Sequence, residues 1–448
     1  MKQRLSAEDL RGLALSLVEK ACSAGAEEAE VQIGDGLEFS VDVRLGRIEN
    51  LVEAGSRGLG LRVILDKRTA YASSSDLSEE ALDGLVRRAV QRARLAGFDE
   101  FSGLPDMEER PAAVGPLDLH DPDLEAVDAR TKIDLAFQTE RLALEDKRIT
   151  NSQGASVGTN EGVVILANSK GFLEDFRHSH CSLSVGLQAG GTDERVEDFW
   201  YSSRTHWKDL DPPDKVARTA VARTVRQLNP RKIKTQQVPL IFEPLMTSWL
   251  MGFLFSCVSG VSVYQKTTFL ADKLGQQIGS GLLTVVDDGL LPRRPGTRPF
   301  DSEGVPCRRT TVVDKGILKN FLCNAYAARK LGLRSTGNSE GGAVGPNNFY
   351  LQPGRLKPED IIASTERGLI LIKTIGHGLN PVTGDISRGA FGLWVEKGEV
   401  VYPVSEITVS GNLGRALHDL EAVADDLDLD MGVTGPTIKI RELTVAGE

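Results

Sequence analysis

NPVTGDISRGAFGLWVEKGEVVYPVSEITVSGNL, Asn380 to Leu413, is the stretch on which the fold class turns. A Gly-rich turn leads into an aromatic-bearing strand, a tight turn at Lys397-Gly398 and further extended segments at Val400–Pro403 and Ile407–Val409. It holds no cysteine, no histidine and no obvious nucleophile. Short strands joined by tight turns pair antiparallel, so this half of the chain reads as an antiparallel β-rich domain.

Working outward, the same punctuation continues on both sides. Strands are predicted at Val238–Phe242, Leu282–Val286, Thr310–Val313, Gly316–Asn320 and Thr437–Leu443, with helices over Pro244–Ser259 and Asn324–Leu331. Asn229-Pro230-Arg231-Lys232 marks a boundary. Before it, helical and strand periods alternate. Leu10, Leu13, Ala14, Leu17 and Val18 repeat at helical spacing behind a Ser6 cap. Leu37, Phe39, Val41 and Val43 alternate as a strand, and Leu59, Leu61, Val63 and Leu65 do the same. A helix at Leu124–Leu144, strands from Ile149 to Ser203 and a helix at Asp214–Leu228 then restate the order helix, hairpins, helix. The prediction is an α+β chain: an N-terminal α/β region of helices and hairpins, residues 1–232, then a C-terminal antiparallel β-rich domain, residues 233–448.

Composition excludes several classes. With 40% apolar and 26% charged residues the chain is an ordinary globular one. A net charge of −10 argues against a nucleic-acid partner, which needs a basic face. Arg87, Arg88, Arg92 and Arg94 read as the solvated face of a helix. The opening MKQRLSAEDL has no apolar core, so no signal peptide is expected. Leu245–Val263 is interrupted by Gly252, Ser256, Ser259 and Gly260 and reads as a core helix rather than a membrane span. Five scattered cysteines predict reduced thiols in a cytoplasmic protein.

Catalytic signatures are missing. There is no HExxH, GxSxG or P-loop lysine motif, and Gly58-Leu59-Gly60 lacks the third glycine of a dinucleotide fingerprint. His178 and His180 share one strand face and could chelate a metal with Glu174 or Asp175, although solvent-facing histidines are the commoner outcome. His377 stands between Gly376 and Gly378 in a loop, while His120, His206 and His418 read as surface residues. Asp301 and Glu303 are close enough for acid–base work, or are turn residues bonded to backbone, the favoured reading. Asn338–Asn348 is either a surface loop or a mobile rim, and Asp425–Asp430 reads as an element edge with a solvated acidic face rather than a calcium loop.

Beyond these pieces, longer ones are distinctive: SVYQKTTFLADKLGQQI (Ser262–Ile278), RPFDSEGVPCRRTTVVDKGILKNFLCNAYAARKLGLRSTGN (Arg298–Asn338), the opening stretch, and GPTIKIRELTVAG (Gly435–Gly447), with RLGRIENLVEAGSRGLGLRV (Arg44–Val63) as a looser match. Together they resemble the TldD/PmbA family, on its PmbA (TldE) branch. The resemblance implies a two-domain intracellular metallopeptidase. Its TldD-like members carry a zinc-binding HExxxH on a helix and a distal cysteine. Here the corresponding helix reads EPLMTSWLMGFLFSCVSG, without histidine, and MGVTGPTIKI has no cysteine. The resemblance thus implies a subunit with no catalytic residue and no metal ligand of its own, paired with a TldD-like chain that brings the zinc. Homodimer formation alone stays open, the substrate is unfolded peptide, and neither nucleic acid nor membrane is a partner.

On this reading Asn380–Leu413 is framework for a peptide chamber or a subunit interface. Gly384, Gly389 and Gly392 let backbones approach, and Trp394 and Tyr402 supply apolar contact or pack the core. The chamber or interface candidates are Asp301, Glu303, His377, Asn380, Asp385, Arg388 and Trp394. Two alternatives remain: a self-sufficient hydrolase rebuilt from His178, His180 and His377 with Asp301, Glu303 or Asp385, and a regulatory binding module without chemistry.

Overall fold

The structure is a computed structural model that describes residues 5–106, 116–191 and 195–448; the first four residues of the charged opening segment therefore lie outside it. In the N-terminal region α1 (Ala7–Ser23) is followed by β1 (Glu28–Arg44), β2 (Arg47–Leu65), β3 (Arg68–Ser74) and α2 (Glu79–Leu95). The order recurs as α3 (Ala129–Leu144), β4 (Ile149–Asn168), β5 (Leu173–Ala189), β6 (Val196–Arg204) and α4 (Pro213–Val225). Local chemistry sets the ends. Ser6 Oγ accepts from the Asp9 amide and the Asp9 carboxylate accepts from the Ser6 amide, a reciprocal cap. Asp128 caps α3 in the same way from one side. Leu45 and Gly46, with φ of 48° and 73°, make the tight β1–β2 turn.

All six strands join one antiparallel sheet in the order β3-β2-β1-β4-β5-β6. The two helix–hairpin units meet at β1 and β4, paired from Glu30↔Asn168 to Val43↔Ala155. Side chains alternate along a strand, so Val31, Ile33, Phe39, Val41 and Val43 of β1 share one face. Val31 and Ile33 pack with α1 and α2, and Phe39, Val41 and Val43 pack with residues of α3 and α4. The helices thus cover one face of the sheet. The other carries Glu30, Gln32, Arg62, His178 and His180 and turns toward the C-terminal half, where Phe300 packs edge-on against Phe172 and Phe176.

The C-terminal half opens with β7 (Gln236–Phe242) and α5 (Pro244–Val258). β7 pairs with Ile438–Ala446, which pairs with Glu399–Asn412, then Asp385–Glu396, then Arg367–Ile375, which returns to β7. The ring of hydrogen bonds closes, leaving no free edge among these five strands. Its pairings are antiparallel except the closing one, Leu369↔Leu240, which is parallel. A smaller sheet runs Ile317–Leu318, Arg309–Asp314, Val285–Asp288, Phe349–Leu351, Val433–Thr434. One large core joins both sheets to α5, with Phe242, Leu254, Phe349 and Trp394 nearly or fully inaccessible.

The opening stretch is framework of this ring. Its predicted short strands at Val400–Pro403 and Ile407–Val409 are one continuous strand, Glu399–Asn412, and the aromatic strand, expected over Trp394–Lys397, starts earlier, at Asp385. The strand predicted at Leu282–Val286 lies at Val285–Asp288. Arg367–Ile375, unmarked in the sequence reading, closes the ring; its run of buried aliphatics has no period to announce it. Gly392 is required there: a Cβ would stand 2.6 Å from Leu369 Cδ1 and 2.7 Å from the Ile370 carbonyl.

Two loop expectations are corrected. Asn338–Asn348 is no mobile rim: Asn338, Asn347 and Asn348 are buried, and Ser339–Glu340 pairs with Ala343–Val344. Asn338 Nδ2 and Asn347 Nδ2 both donate to Asp287 Oδ2, at 2.7 and 2.9 Å. Asp425–Asp430 is a solvated edge only in part: Asp425 and Asp428 are exposed, whereas Asp426 and Asp430 are half-buried and bonded. Asp426 accepts from the Thr437 amide at 2.8 Å, and Asp430 pairs with Arg204 of β6 and Arg294.

Candidate functional site

The segments to which the family resemblance assigns ligands come together here. α5 lies directly against Val433–Thr434 and the glycine that follows: a Cβ on Gly435 would fall 2.5 Å from Thr247 Cγ2. Beside this junction is a cleft of about 640 Å3, lined by Met246 and Trp249 of α5, Phe199 and Arg223 from the N-terminal region, Ile372, and Val433. The Arg388 guanidinium stacks over the Trp249 ring at 5.1 Å, and burial lowers its pKa below the usual value. Trp249 Nε1 and Arg388 Nε have no hydrogen-bond partner among the described residues.

The donor chemistry of this junction does not suit a zinc ion. α5 carries no histidine or carboxylate, and Thr247, Ser248 and Met251 offer neutral oxygens and a thioether. Cys257 is fully buried, and burial pushes its thiol up to about 11, away from the thiolate that binds metal. Among the described residues no three His, Cys, Asp or Glu side chains are grouped to hold an ion.

The sequence-predicted residues scatter. Asp301 is a buried turn residue: Oδ1 accepts from the Glu303 and Val305 amides at 2.9 and 3.0 Å, and Oδ2 from the Ser339 amide at 2.8 Å. Glu303 accepts from Arg62 at 3.0 Å and from the Ala325 amide at 2.9 Å. His377 is exposed in its glycine loop. Asn380 Oδ1 accepts from the Val382 amide, and Asp385 accepts from Thr383 and Asn412, which lower its pKa. Trp394 belongs to the core: it is 1% exposed, donates to Glu396 at 2.9 Å and stacks on Tyr402. Of the seven, Arg388 alone touches the α5 cleft, through Trp249.

His178 and His180 line a different cavity of about 650 Å3, together with Arg204, Arg298, Glu340 and Asp430. Their Nε2 atoms meet Asn160 Oδ1 at 3.2 Å and Ser203 Oγ at 2.8 Å, and burial holds both imidazoles below their usual pKa. His377, Asp301, Glu303 and Asp385 do not line that cavity, so the rebuilt-hydrolase set does not converge, and Asp175, a carboxylate offered to a histidine metal site, is taken by Arg11. His206 and His120, read as surface residues, are covered: His206 is 3% exposed beside Asp118, and His120 faces Glu161. The sheet face that buries them is polar by sequence and looks solvated until the C-terminal half covers it.

Three family models match in succession: the PmbA/TldA metallopeptidase domain 1 over residues 29–93, the central domain over 122–228 and the C-terminal domain over 235–447. The metalloprotease PmbA of Escherichia coli O157:H7 is 35% identical over 436 residues, covering 97% of this chain and 96% of that one. The chain belongs to the TldD/PmbA family, on its PmbA side. The metalloprotease PmbA homolog of Haemophilus influenzae is 36% identical over 445 residues, covering 98% and 96%. Relatives named TldD homologs match more weakly, at 24% and 27% identity. Among solved structures, a Bacteroides thetaiotaomicron protein described as a proposed modulator of DNA gyrase superposes with a TM-score of 0.92 at 27% identity, covering 99% of this chain and all of that one. No helix among the described residues is long and apolar enough to cross a membrane.

Proposed function

We propose that this chain is the supporting subunit of a cytoplasmic two-chain metallopeptidase: it holds extended, unfolded peptide in the cleft beside α5, and a TldD-like partner brings the zinc. One observation carries the reading. α5 and the Val433–Gly435 segment, where the resemblance puts the ligands of TldD-like members, meet as close-packed neighbours, while the side chains on them are apolar, hydroxyl or a protonated thiol. The cleft is chemically suited to peptide. Apolar walls take side chains, and the Phe199 segment belongs to β6, the last strand of its sheet, whose outer backbone groups can pair with an added strand. The edge is partly guarded, since Lys373 Nζ donates to the Glu197 carbonyl at 3.3 Å.

Mixing experiments test this. The purified chain alone should leave an unfolded casein digest intact, and adding a TldD-like chain should start hydrolysis that a chelator stops. Hydrolysis by the lone chain would overturn the reading.

A further inference from the structure

A third cavity, of about 430 Å3, lies at the β3 edge of the N-terminal sheet, lined by α2, β2 and β3 and by the loops at Ser302–Glu303 and Gly341-Gly342 of the C-terminal half. At its mouth stand Arg88 and Arg92, one turn apart on α2. Both are exposed, as the sequence reading of a solvated helix face expects, and neither has an ion-pair partner among the described residues. Deeper in, Arg62 donates to Glu303 at 3.0 Å and to the Gly103 carbonyl at 3.1 Å, and lies over the Tyr71 ring. Arg62 Nε and Glu30 Oε2 are both buried without a hydrogen-bond partner among the described residues. An unmet donor and an unmet carboxyl oxygen in one wall are costly where no ligand is present.

Charge selects the ligand class. Glu303 offsets Arg62, leaving the two α2 arginines as cations without an ion-pair partner among the described residues. They attract an anion, and a guanidinium pair suits the planar geometry of a carboxylate. With Glu303 paired to Arg62 and burial raising the Glu30 carboxyl to about 8, the two α2 arginines are the cations that face the ligand, one guanidinium pair for one carboxylate. Leu61, Ala72 and Leu85 give a small apolar wall beside the polar groups.

We infer that this cavity binds a small carboxylate, an amino acid or the free C-terminal end of a short peptide, with Arg88 and Arg92 gripping the carboxylate and Arg62 and Ser73 lining the space behind it. The site does not require that the chain act on peptides, and it is separate from the α5 cleft.

Calorimetric titration of the full chain with free alanine, N-acetyl-Ala-Ala and its C-terminal amide tests the inference. Binding of at least one of the first two is expected, with the amide about tenfold weaker or undetectable. Preference for alanine or for the acetylated dipeptide tells the two carboxylate sources apart. The Arg88→Ala/Arg92→Ala variant changes two exposed side chains and should keep its circular dichroism while losing about tenfold in affinity, and Arg88→Lys/Arg92→Lys should recover part of it. No binding of either carboxylate, equal binding of the amide, undiminished binding by the alanine variant, or displacement by equimolar inorganic phosphate would each overturn the assignment.

Discussion

Arg62 and Glu303 are 241 residues apart in sequence and 3.0 Å apart in space, Nη1 to Oε1, with side chains only 9% and 5% exposed. The pair ties β2 of the N-terminal sheet to a turn of the C-terminal half. The same Glu303 carboxylate accepts from the Ala325 amide, so one residue holds two seams.

Removing one partner of a buried pair strands the other charge. Glu303→Ala should therefore lower unfolding free energy by about 3–5 kcal/mol, measured by urea denaturation. The double variant Arg62→Met/Glu303→Leu should cost less than the sum of the two single changes. Additive costs would show that the pair is not a coupled unit.

The acids around this seam make stability fall with pH. Burial, opposed by Arg62, pushes the Glu30 carboxyl up to about 8, and burial aided by Glu303 pushes Asp301 up to about 7. A carboxyl whose pKa is raised on folding binds its proton more tightly in the folded state. Its contribution is complete below the ordinary carboxylate range and is lost as pH rises toward these values. The urea midpoint should fall between pH 5 and 8, and Glu30→Gln, which keeps the neutral form, should flatten the slope. Identical slopes in the two proteins would contradict the assignment to Glu30.

Gly435 and Thr247 fix how closely the C-terminal segment approaches α5. Gly435→Ala should cost roughly 1–3 kcal/mol by overpacking. Adding Thr247→Ser, which removes the clashing Cγ2, should restore much of it, read as a shift in thermal midpoint. Failure of the second change to rescue would place the strain elsewhere.

Trp249 is the principal aromatic wall of the α5 cleft. On the proposed pairing with a TldD-like chain, Trp249→Ala should remove about 1–2 kcal/mol of apolar contact with peptide, so KM should rise roughly five- to thirtyfold, with a smaller change in kcat. An unchanged KM would remove the cleft from the peptide path.

The sequence showed the elements whose signals are local. Ser6, Asp9 and the α1 periodicity, the Leu45-Gly46 turn, and the hairpin of Asn380–Leu413 all follow from residues near one another in the chain. What it could not show depends on distant covering. Arg62 sits between Leu61 and Val63 as any outward strand residue would, and nothing nearby reveals that Glu303 will meet it. His206 and the Asn338–Asn348 loop read as surface for the same reason. Arg367–Ile375 was invisible because a strand buried on both faces has no alternation. For the site, the missing histidines of α5 were legible directly, whereas the stacking of Arg388 on Trp249 needed the ring of strands to form.

Zinc content, measured by inductively coupled plasma mass spectrometry on the chain purified alone and on the chain co-purified with a TldD-like partner, tests the central claim most directly. The account predicts far less than one equivalent in the lone chain and one equivalent per pair in the complex. Close to one equivalent retained by the lone chain after gel filtration would contradict it.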